Sequence, residues 1–141
     1  MRDLFGFMCV LALSVVLVAC GGEGPGCAEP AADAAGEWEM TATPIEDTCG
    51  GDLTPYTFGV TIMQEGNALS GQTPEGTMTG TICGDQVQMS GSSPEAGGTA
   101  TVNLELTVSA DGNSVEGSDT WNWTNGAQSC GGSESLIGTR I

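Results

Sequence analysis

The sequence predicts an all-β fold, an eight-stranded antiparallel up-and-down barrel, with an open β-sandwich as the alternative. Three observations predict it. Short stretches in which apolar and polar residues alternate recur along most of the chain, the period-two signature of half-buried strands. Tight-turn pairs such as Gly84-Asp85 and Asp111-Gly112 separate several of them. Glycine recurs on the apolar face at Gly71, Gly80, Gly91, Gly117 and Gly138, where it weakens a flat strand but permits a sharp bend in a barrel wall.

The strands follow in order. Gly36-Glu37-Trp38 opens the first, with Trp38, Met40 and Ala42 on one face; Pro44 is expected to end it. A loop from Ile45 to Pro55 carries Cys49-Gly50-Gly51. Tyr56–Gln64 is the second strand, with Tyr56, Phe58, Val60 and Ile62 on one face. Folding at Glu65-Gly66 sets Ile62 opposite Leu69 and Val60 opposite Gly71, and a turn at Glu75-Gly76 leads on. Folding at Gly84-Asp85 sets Ile82 opposite Val87, Gly80 opposite Met89 and Met78 opposite Gly91. Large residues thus face glycines across the hairpin.

Ser93–Gly98 reads as a small-residue loop. Thr99–Ser109 is the clearest strand, and the Asp111-Gly112 turn sets Val108 opposite Val115, Leu106 opposite Gly117 and Val102 opposite Trp121. At every turn the apolar face meets an apolar face; a slip of one residue would reverse this. After Trp123 comes a loop holding Cys130-Gly131-Gly132, then a last strand over Ser133–Ile141 with Leu136, Gly138 and Arg140 on one face.

The N-terminus has a different composition. Arg2 and the apolar run Leu4–Ala19 read as a secretory leader, too short for a comfortable membrane span. The run ends Leu17-Val18-Ala19-Cys20, which resembles the lipobox of bacterial lipoproteins. The resemblance implies cleavage before Cys20 and lipid on its sulfur, and Gly21 in the next position implies the outer membrane. The expected layout is a leader over 1–19, a flexible Gly/Pro/Ala-rich tether over 20–35 and a barrel over 36–141.

Gly36-Glu37-Trp38 on the first strand and Arg140 on the last resemble the lipocalin and avidin group of calycin-like barrels. There, a tryptophan near the start of strand one packs under a basic residue from the last strand. The resemblance implies that these two strands are neighbours and that both residues lie at one end. The avidin biotin-contacting pattern is not recognisable. Small barrel inhibitors of secreted proteases are similar in outline, but no inhibitory motif is present.

With Cys9 in the leader and Cys20 lipidated, Cys27, Cys49, Cys83 and Cys130 remain. An even count in an exported domain implies two bridges, and sequence alone allows three connectivities. Barrel topology favours Cys49–Cys130, in two loops at one end, and Cys27–Cys83 at the other. Metal is not expected, since there is no histidine and no Cys-x-x-Cys pair.

Eighteen acidic residues stand against two basic ones, Arg2 and Arg140. Nothing here would neutralise a nucleic-acid backbone, so that partner is excluded. The surface should be solvated and self-repelling. Without histidine or lysine the usual general bases are missing, so no catalytic residue, cofactor or enzyme activity is expected. A two-carboxylate glycosidase is the one class residue type leaves open. Glu37, Glu39, Glu105 and Glu116 have outward parity; Asp119 reads as the one inward acid, and as the ion-pair partner of an inward Arg140.

Trp38, Tyr56, Phe58, Trp121 and Trp123 would line one lumen. They fill a packed core in a structural or protein-interaction barrel, or they line a cavity for a small apolar ligand. The expected partners are therefore a membrane, through the anchor on Cys20, and such a ligand.

Overall fold

The structure, a computed structural model, describes Cys27 and residues 31–141. The expected leader and Cys20, the expected lipidation site, lie outside the described residues.

Eight strands form one closed barrel: β1 (Gly36–Asp47), β2 (Tyr56–Glu65), β3 (Ala68–Thr73), β4 (Gly76–Cys83), β5 (Gln86–Glu95), β6 (Gly98–Val108), β7 (Ser114–Thr124) and β8 (Ser129–Arg140). Each pairs antiparallel with its neighbours, and β8 closes the ring on β1. The end where β1 starts is the floor; the end where β2 starts is the mouth. Met78↔Gly91, Gly80↔Met89 and Ile82↔Val87 pair across the Gly84-Asp85 turn as the alternation requires. Val102↔Trp121, Leu106↔Gly117 and Val108↔Val115 do the same beyond Asp111-Gly112. A Cβ added to Gly117 would meet the backbone of Glu105 on β6, so a strand can come this close only at glycine.

The floor is packed. Trp38, Met40, Ile62, Ile82, Leu106 and Leu136 are all buried there, each removing up to about 1.5–3 kcal/mol worth of apolar surface from water. Ala31–Ala35, expected to belong to a flexible tether, instead lies across this end. Gln64 donates to the carbonyl of Ala32 and accepts from the amide of Ala34, and Ala32 donates to the carbonyl of Gly84. The Cys27–Cys83 bridge fixes the same segment to β4.

Several boundaries differ from the sequence expectation. Pro44 does not end β1. The strand continues to Asp47 through a bulge at Ile45, between the pairs Pro44↔Glu134 and Glu46↔Ser133, where the missing proline N–H is tolerated. The β2–β3 turn is Gly66-Asn67, so Ile62 faces Gly71 rather than Leu69. The shift is two residues and keeps every side chain on its face. The β3–β4 turn is likewise Pro74-Glu75. The expected loop Ser93–Gly98 is two strand ends joined by Ala96-Gly97, both at positive φ, the geometry of a type I′ turn.

The last correction concerns β8. Cys130-Gly131-Gly132 is strand, not loop, because the β7–β8 connection is only residues 125–128. Asn125 closes it by accepting from the amides of Ala127 and Gln128. Leu136 therefore faces Gly117, and Arg140, expected to reach Asp119, instead lies towards the floor beside Asn113.

Candidate functional site

The packed floor gives way towards the mouth to a cavity of about 880 Å³, within the range of small-molecule sites, about 300–1,000 Å³. All five aromatic residues expected in the lumen line it: Trp38 on the floor side, and Tyr56, Phe58, Trp121 and Trp123 in the wall. Tyr56 and Phe58 sit side by side, ring centroids 5.9 Å apart.

The two upper tryptophans lie against the wall instead of crossing the lumen. Trp121 pairs with Gly132 on β8, and a Cβ there would stand 2.9 Å from its ring. A Cβ on Gly98 would come as close as 2.7 Å to Trp123, whose indole N–H donates to the carbonyl of Glu95 at 2.7 Å. Glycine on the facing strand lets each ring lie flat, and the lumen stays open.

The rim is uneven. β2 pairs with β1 from Tyr56 onward, but its pairing with β3 covers only Thr61 to Glu65. The short β3–β4 hairpin, with Glu75 in its turn, thus forms the low side of the mouth.

Asp119 does face inward, as its parity requires. It does not pair with Arg140. It stands directly across from Glu134 on β8, a second inward acid that the reading of the sequence missed. Its signal was available: Glu134 shares the parity of Leu136 and Gly138. Glu134 is only 6 % exposed and accepts a 2.8 Å hydrogen bond from the Tyr56 hydroxyl. The Oδ1 of Asp119 is enclosed and has no hydrogen-bond partner. Burial, then the negative charges of Glu134 and Glu75, push its pKa up to about 7. Partial burial and the bond to Glu134, followed by the charges of Glu134, Asp119 and Glu75, raise the Tyr56 hydroxyl well above its ordinary value.

Arg140 occupies the opposite end. Its guanidinium carbon lies 4.7 Å from the centroid of Trp38, the stacking expected of it. Its N–H groups donate to the carbonyls of Gly112, Ala35 and Asp33, with the Asp33 carboxylate 3.8 Å away. Trp38 donates its indole N–H to Ala34. Arginine and tryptophan together lock the Ala31–Ala35 segment over the floor.

The cysteines pair as topology favoured, Cys49–Cys130 at the mouth and Cys27–Cys83 at the floor. Glu37, Glu39, Glu105 and Glu116 are exposed on the outside. No known protein family matches the chain, and no curated protein is similar to it in sequence.

Proposed function

We propose that the protein is a lipid-anchored binding protein of the bacterial outer membrane, not an enzyme, and that its barrel takes up a small, largely apolar ligand through the mouth. The observation that carries this reading is the open, aromatic-lined lumen above a sealed floor. A barrel whose role was only structural would gain stability by filling that space. The outward positions of β6 are polar, namely Thr99, Thr101, Asn103, Glu105 and Thr107, the reverse of a lipid-facing wall.

The anchor fits this arrangement. Cys20 stands seven positions before Cys27, which is bonded to the floor through Cys83. Seven residues span at most about 25 Å, so lipid on Cys20 would hold the floor towards the bilayer and leave the mouth facing away. Ligand would then enter from the aqueous side.

Two measurements test this. Expressed in a diderm bacterium, the protein should be acylated and membrane-bound, and Cys20→Ser should abolish both. The purified barrel should bind N-phenyl-1-naphthylamine, a neutral probe that brightens in apolar surroundings, saturably and one to one. Acylation of the Cys20→Ser chain would overturn the anchoring; absence of probe binding would overturn the lumen.

A further inference from the structure

The lumen is not uniformly apolar. Two carboxylates, Asp119 and Glu134, oppose each other on its wall across β7 and β8. Burying one carboxylate costs several kcal/mol unless a partner repays it, and like charges side by side add to the cost. The protein supplies little repayment. Tyr56 donates one hydrogen bond, to Glu134, and Oδ1 of Asp119 has no partner. Arg140, the one cation among the described residues, is engaged with Trp38 and the Ala31–Ala35 segment at the other end.

The surroundings favour a positive charge. Trp121 follows Asp119 by two residues on the same face of β7, its ring over Gly132, two residues before Glu134 on β8, while Tyr56 approaches Glu134 from β2. Ring faces attract cations, most strongly where water is excluded. Among the described residues no group of three or more acids and cysteines is placed to hold a metal ion, and the cavity beside the pair is wide, with Phe58, Trp121 and Trp123 in its wall and further acids such as Glu75 towards its rim.

On the reading of the lumen as a binding cavity, we propose that its ligand is cationic: an organic molecule with an apolar body and one basic nitrogen, the nitrogen held between Asp119 and Glu134 and the body against Trp121, Trp123 and Phe58. The carboxylates supply selectivity, rejecting acids and ranking an amine above an alcohol of equal length. The apolar wall supplies the general affinity.

The test uses N-phenyl-1-naphthylamine as the lumen reporter and three ten-carbon competitors at pH 8: decylammonium, decanol and decanoate. Decylammonium should displace the probe about tenfold or more tightly than decanol, and decanoate most weakly. Asp119→Asn and Glu134→Gln should each collapse the preference for amine over alcohol. Probe binding in each variant reports an intact lumen, and either variant alone suffices. Glu116→Gln, which removes an outward acid from the same strand, should leave the ranking unchanged. Equal displacement by all three competitors would overturn the proposal while leaving the lumen as a binding site; no probe binding at all would overturn the lumen itself. An amine preference that survives both inward substitutions belongs to the acidic surface and also overturns it, as would displacement by calcium chloride alone.

Discussion

Tyr56 and Glu134 join two strands that do not touch. The hydroxyl on β2 reaches the carboxylate on β8 at 2.8 Å, across the intervening β1. Ala42 pairs with Tyr56 on one side of β1, and Pro44 with Glu134 on the other. The bond thus crosses small side chains and ties the mouth together just where β2 loses its partner on β3. Tyr56→Phe leaves a buried carboxylate oxygen unpartnered and should cost about 1–2 kcal/mol in chemical denaturation. An unchanged midpoint would mean that water replaces the hydroxyl without loss.

Asp119 should make stability fall as pH rises. Its pKa in the folded chain is about 7, against an ordinary value of 3.8, so between these values the folded state holds a proton that the unfolded state has released. Stability must then decrease from about pH 4 to pH 7 and level off above. Asp119→Asn removes this one contribution. The variant should melt above the native protein at pH 8, and the gap should close towards pH 4. Two melting curves that run parallel across that range would contradict the placement of Asp119 in the lumen.

Arg140 and Asp33 should behave unequally, although they form an ion pair. Arg140 donates to backbone carbonyls and stacks on Trp38, which is 1 % exposed. Arg140→Ala should cost about 2–4 kcal/mol, from hydrogen bonds made by a charged donor and the lost stacking. The Asp33 side chain is 76 % exposed and its carboxylate is 3.8 Å away, so Asp33→Ala should cost at most about 1 kcal/mol. Equal losses would show that the carboxylate, not the carbonyls, holds the arginine.

These residues also mark how far the sequence could be read. At the Gly84-Asp85 turn, parity and register both follow from the alternation. At Gly66-Asn67 parity survived but register moved by two, because neighbouring dipeptides offered equally plausible turns. The Asp119–Arg140 pairing failed for a related reason. Cys130-Gly131-Gly132 has loop composition, and only its cross-strand partners make it strand: Gly132 has a place in β8 because Trp121 lies over it. The stack of Arg140 on Trp38 held because it depends on barrel closure and not on the length of one loop. Whether the lumen was filled or open could not be read locally. It turns on which glycine faces which tryptophan across two registers, one of which the sequence left ambiguous.

A ligand taken up by the lumen should sit beside the upper tryptophans. The most direct test is quenching of indole emission by 10-bromodecanol, whose heavy atom acts only near contact. The native barrel should be quenched saturably, and most of the effect should vanish when Trp121 and Trp123 are both replaced by Phe, leaving only Trp38, 1 % exposed at the floor end. Quenching that never saturates, or that is undiminished in the double variant, would contradict the account.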